Sequence, residues 1–136
     1  MTEFELIDAI LATLGDRAAG PLTRVGPGDD AAVITVPRGM DVVSSIDTLV
    51  ADVHFPADAA PWLIGYRAIM VSASDLAAMG ASPVGFTLAI AMPEVKIDWL
   101  ESFSNGLWDI ANEHDCQLIG GDTTAGPLTI SITIFG

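Results

Sequence analysis

Apolar residues in the first turns of the chain recur at helical spacing: Leu6, Ile7, Ile10, Leu11 and Leu14. Thr2 and Glu5 stand ahead of them as a capping box, and Gly15 closes the pattern, so a helix is predicted up to that glycine. A second helical pattern lies in 62-WLIGYRAIMVSASDLAAMG-80, with Leu63, Tyr66, Ile69, Met70, Ala73, Leu76 and Ala77 as its apolar positions. Its many small residues suit close packing on a sheet, and Asp58 is a candidate cap. A third helix is predicted from Asp98, with Glu101 at the capping-box position, to about Asp115. It places Leu100, Phe103, Leu107 and Ile110 on one face.

Strand-like runs separate these helices. The segments 31-AAVITV-36 and 41-DVVSSI-46 flank 37-PRGM-40, a spacing that predicts an antiparallel pair with Gly39 in the turn. The run 84-VGFTLAIAM-92 is nearly wholly apolar, as expected of a strand buried on both faces or lying at an interface. Gln117 to Ile119 is a short strand leading into a glycine turn, and 128-LTISITIF-135 is another. The order α-β-β-α-β-α-β-β predicts a mixed α/β (α+β) domain over residues 1–136, because a Rossmann sheet would need regular β-α alternation.

With 136 residues there is enough chain for one domain with a core. The mean hydropathy of +0.51 is apolar for a soluble protein, so another polypeptide is expected to cover part of the surface. The sequence stops at 128-LTISITIFG-136, in or just beyond a strand, which reads as the front domain of a longer protein. Eighteen acidic residues against five basic ones give a net charge of −13, a field that repels phosphate backbones and anionic lipid. Nucleic acid and membrane are therefore not expected as partners. The lone Cys116 rules out an internal disulfide and suits a reducing compartment, and the N-terminus has no signal-peptide pattern, so a cytoplasmic protein is expected.

Four short acidic segments lie beside turns or element ends: 28-GDD-30, 44-SSID-47, 72-SASD-75 and 121-GDTT-124. Aspartate after glycine often serves only its own turn. Asp75 is different, since a carboxylate late in an apolar helix needs either solvent or a partner. If the segments converge, their repulsion calls for cations, and Mg²⁺ accepts a few carboxylates together with phosphate oxygens. The predicted result is an acidic cup that holds a phosphorylated ligand through metal. Rival chemistries are poorly supplied. Cys116 and His114 lack a third orienting group, His and Cys are too few for zinc, and 118-LIGGDTTAG-126 lacks the lysine of a Walker loop.

The pieces 26-GPGDDAAV-33, 45-SIDTLVADVHF-55, 74-SDLAAMGASP-83, 99-WLESFSNGL-107 and 118-LIGGDTTAGPL-128 resemble the thiamine-monophosphate kinases in kind and order. That family belongs with aminoimidazole ribonucleotide synthetase and selenophosphate synthetase. The resemblance implies direct transfer of the γ-phosphoryl of ATP to thiamine monophosphate, giving thiamine diphosphate, with Mg²⁺ and commonly K⁺. It implies a small mixed, largely antiparallel sheet flanked by helices, which pairs across a two-fold homodimer to close a β-barrel. A second domain, absent from this chain, would follow, so the isolated domain is expected to transfer negligible phosphate. By motif, Asp30, Asp47, Asp75 and Asp122 look like magnesium ligands, joined by Ser45 and by Ile46 through its backbone oxygen. Ile46 replaces a threonine usual in the family. Gly121 and Asp122 look like contacts to ATP, and His54 is similar to the residue that meets thiamine monophosphate. Asp29 shares the Asp30 turn. A sister enzyme with another acceptor, or a non-catalytic dimerisation or metal-binding module, is the alternative.

Overall fold

The computed structural model describes residues 2–18 and 20–136, with Asp16 described through its backbone alone. Helix α1 spans Glu3–Leu14 and a single 3-10 turn covers Gly15–Ala18. Strands β1 (Thr23–Val25), β2 (Val33–Ile34) and β3 (Ser44–Val50) follow, then helix α2 (Pro61–Ala78) and strand β4 (Gly85–Met92). Helix α3 (Ile97–Glu113) and strands β5 (Gln117–Ala125) and β6 (Thr129–Phe135) complete the chain.

The predicted capping box on α1 is formed in both directions: the Glu5 carboxylate accepts from the Thr2 N–H at 2.7 Å, and Thr2 Oγ1 accepts from the Glu5 N–H at 3.3 Å. The other two helices start differently from expectation. Proline at the first helical position opens α2 behind Ala60, and Asp58 makes no cap. Lys96 precedes α3, with no side-chain cap from Asp98 or Glu101. The phase of α2 is also shifted. Ile64, Gly65, Ala68, Ile69, Ser72, Ala73 and Leu76 are buried, whereas Leu63 and Met70 are exposed. The absence of a side chain at Gly65 lets α3 come close, so the packed stripe follows it rather than the bulkiest side chains.

The expected hairpin between 31–36 and 41–46 does not form. Strand β2 pairs instead with β1, and β3 lies antiparallel to β6, with Asp47 opposite Ile132. The main sheet has the order β3-β6-β4-β5, and only β4 and β5 run parallel. Phe86, Leu88 and Ile90 of β4 share one face with Ile134, Ile132 and Ile130 of β6. That face is covered by the helix layer, in which α2 packs on β3 and β6 and α3 packs on α2 and α1. Each fully buried isoleucine or phenylalanine there contributes roughly 1.5–3 kcal/mol relative to exposure.

The sheet is open, which corrects the expectation of a closed barrel across a dimer. Among the described residues one chain supplies four strands to this sheet, with β3 and β5 at its edges, whereas a small barrel takes about eight. The face turned away from the helices carries small and hydroxyl side chains, Thr87, Ala89, Ser131 and Thr133, and Thr48 Oγ1 lies 2.8 Å from Ser131 Oγ across the strands. Such a face can meet water directly, as one-sided antiparallel sheets do. Among the described residues no helix is long and apolar enough to cross a membrane.

Candidate phosphate and metal site

The acidic segments assemble into two groups rather than one cup. The first group joins β3 to α2. Ser45 and Asp47 are two apart on β3 and so face the helix layer together. Ser72 and Asp75 are three apart on α2 and share one helix face. Two hydrogen bonds tie these pairs like rungs: Ser45 Oγ donates to Asp75 Oδ2 at 3.1 Å, and Ser72 Oγ donates to Asp47 Oδ2 at 2.9 Å. Asp75 therefore has both a solvent-facing position and a partner. Ile46, between the two β3 residues, turns its side chain outward and is 65% exposed, so only its backbone oxygen is placed to serve this group.

The second group lines a cleft of about 820 Å³ between α1, the 27–32 loop and the β4–β5 strands. Asp29, Asp30, Gly120, Gly121 and Asp122 border it, with Glu3 and Asp8 from α1. Gly28, at φ +104°, takes a backbone conformation that side chains rarely adopt, and it turns the loop over the strands. The Asp29 carboxylate accepts from the Asp30 N–H at 2.8 Å, so Asp29 serves its own turn and leaves the Asp30 side chain free of that task.

The expected glycine turn at 120–121 is instead a continuous strand, since β5 runs through both glycines to Ala125. Gly121 is required there because a Cβ would overlap the carbonyl oxygen of Leu88 on β4. The Asp122 side chain stands on the same sheet face as Ala89, which it opposes in register.

His54 belongs to neither group. It closes a tight loop after β3, with its Nδ1 accepting from the Val50 N–H at 2.9 Å and its own N–H donating to the Val50 carbonyl at 2.9 Å. In the neutral ring this leaves Nε2 as the protonated nitrogen facing outward. Asp52 holds the same loop by accepting from the Ala57 N–H.

Strands β3 and β5 are the two edges of the sheet, three strand spacings apart, which sets the backbones of Asp47 and Asp122 about 14 Å apart across the sheet. Among the described residues no three His, Cys, Asp or Glu side chains come close enough together to hold a metal ion. The donor chemistry still fits magnesium in each group. Every candidate ligand is an oxygen, and Mg²⁺ needs only one or two protein carboxylates when phosphate and water fill its remaining positions. Ser72, in the 72–75 segment, has no predicted role. Its spacing of three before Asp75, in an apolar stretch of α2, is the signal that points to one. Cys116 and His114 form no reactive pair: Cys116 is fully buried, and burial pushes its thiol up to about 12.

The pattern described as "AIR synthase related protein, N-terminal domain" matches residues 28–136. This chain belongs to that family. Within it, the chain is 50% identical over 112 residues to thiamine-monophosphate kinase of Escherichia coli strain K12, covering 82% of this chain and 34% of that enzyme. The crystal structure of thiamine-monophosphate kinase from Stenotrophomonas maltophilia K279a superposes with a TM-score of 0.82 at 45% identity, covering 100% of this chain and 42% of that one. A further structure, "AaThiL complexed with AMPPCP and TMP", matches at TM-score 0.68 and 26% identity, covering 98% of this chain and 41% of that one. The chain thus spans well under half the length of these relatives.

Proposed function

We propose that this AIR synthase related domain is the front part of a thiamine-monophosphate kinase, which transfers the γ-phosphoryl of ATP to thiamine monophosphate with Mg²⁺. The observation that carries the reading is the half-identity to a thiamine-monophosphate kinase over 112 residues, 82% of this chain. Asp30 and Asp122 hold cation in the cleft, and Gly121, with Asp122 acting through that cation, serves the nucleotide phosphates. Ser45, the Ile46 backbone oxygen, Asp47 and Asp75 hold cation at the β3–α2 edge, and His54 offers its Nε2–H to the acceptor. Bound Mg²⁺, with K⁺ as an accessory ion, would supply the positive charge that offsets the phosphoryl oxygens as the group moves. The chain's own residues place oxygens and exclude competing cationic side chains. No general base is required, because a phosphate acceptor is already ionised near neutral pH.

A cytoplasmic homodimer belongs to the same reading, supported by the lone buried cysteine and by apolar side chains that stay exposed, among them Ile46 and Val42. The reading is tested by following ATP consumption with the protein at the length of its relatives. The acceptor panel is thiamine monophosphate, a formylglycinamidine ribonucleotide and selenide. Consumption with thiamine monophosphate alone is expected. Turnover with either of the others instead would assign a sister activity.

A further inference from the structure

Ser72 is the polar side chain of α2 that the fold hides completely. Serine forms helix less readily than alanine, which fills the neighbouring positions 68, 73, 77 and 78. A serine within a helix commonly turns its hydroxyl back to the carbonyl four residues earlier. That of Ser72 crosses to β3 and donates to Asp47. Asp47 is equally ill-suited to its own element, being a carboxylate inside a strand and pointing at the helix layer. Two residues disfavoured by local preference meet each other, and each answers the other's need for a partner. Among the described residues no second donor bonds Asp47, so Oδ1 remains open to a ligand.

We propose that Ser72 is a positioning residue for cation binding: it grips Oδ2 of Asp47 and so presents Oδ1 in a fixed orientation. Partners behind a ligand commonly matter for affinity in this way, with losses of about 10–100-fold on removal. Ser45 makes the matching bond to Asp75 from a half-buried position on an exposed carboxylate, and so fixes it less firmly. The inference rests on the reading of Asp47 as a metal ligand.

The experiment titrates the 136-residue chain with Mn²⁺, followed by electron paramagnetic resonance, in the presence of a non-hydrolysable ATP analogue. Ser72→Ala is expected to weaken Mn²⁺ binding at least about 10-fold with its thermal melt near that of the parent. Ser72→Cys, similar in size with a weaker donor, should fall between them, and it carries the test if the alanine variant melts early. Asp47→Ala should lose the site. Parental Mn²⁺ affinity in both Ser72 variants, with binding lost in Asp47→Ala, overturns the Ser72 inference alone. Parental affinity in Asp47→Ala overturns the ligand reading and this inference with it.

Discussion

Gly121 illustrates how far one residue is constrained at the site. Strand β4 runs so close beside it that a methyl group would overlap the Leu88 carbonyl oxygen, and backbone cannot rotate away as a side chain can. Gly121→Ala should therefore destabilise the fold by about 1–3 kcal/mol, read as a lowered urea midpoint with an unaltered slope. An unchanged midpoint would mean that the strands part without penalty. Next to it, Asp122 has a different kind of constraint, because its neighbours in the cleft are also acidic. Asp122→Ala should leave folding intact and, in the enzyme at the length of its relatives, lower kcat/KM by about 100-fold or more. A change within about threefold would remove Asp122 from the proposed ligands. Cys116 is governed by burial alone. Its thiol stays neutral in the fold up to about pH 12, while in the unfolded chain it ionises near its ordinary value. The fold thus gives up stability as pH rises between those two values, and none below them. At pH 8.5, iodoacetamide should label the folded chain at least about 100-fold more slowly than the urea-unfolded chain. Equal rates would show the thiol to be accessible.

Helices α2 and α3 cross at a pair of reciprocal glycines. A Cβ on Gly65 would strike the Phe103 carbonyl oxygen, and one on Gly106 would strike that of Trp62. Trp62 Nε1 donates to Asp109 at 2.6 Å and the Tyr66 hydroxyl to Glu113 at 2.9 Å, fastening the two helices beside the contact. Alanine at either glycine would gain roughly 1 kcal/mol of helix propensity. Overpacking should outweigh this, leaving Gly65→Ala and Gly106→Ala each destabilised by about 1–3 kcal/mol in chemical denaturation. Raised midpoints would show that the helices slide apart freely. The same crossing explains what periodicity could and could not reveal. The helices and the apolar runs of β4 and β6 were legible because a single element carries its own repeat. The phase of α2 was not, since the close approach of α3 at Gly65 decided it. The pairing of β3 was not legible either. Its partner β6 lies more than eighty residues away, and Gly39 offered a nearer turn that the fold leaves outside any hairpin. In β5 the glycines suggested a turn, but an edge strand beside a tightly apposed neighbour also needs residues without side chains.

At the scale of the whole molecule, the acidic segments were visible in the sequence and their distribution was not, because strand order places them. The order β3-β6-β4-β5 sends Asp47 and Asp122 to opposite edges, about 14 Å apart, where one cation cannot touch both. The chain carries −13 charges, so divalent ions should stabilise it beyond what matched ionic strength from sodium achieves. Two groups and one cup predict different arithmetic for that stabilisation. With one shared cation, removing either carboxylate would empty the site, and the second removal would change little. With two separate groups, each removal should subtract its own share. Sites farther apart than 7–10 Å commonly add to within about 0.5 kcal/mol. The Mg²⁺-dependent stabilisation lost in the Asp47→Asn, Asp122→Asn double variant should therefore equal the sum of the single losses to within that margin. The measurement is thermal melting in MgCl₂ against NaCl at equal ionic strength. A double variant no worse than the poorer single one would mean that both aspartates serve one ion, and that the two edges meet in a way a single open sheet does not provide.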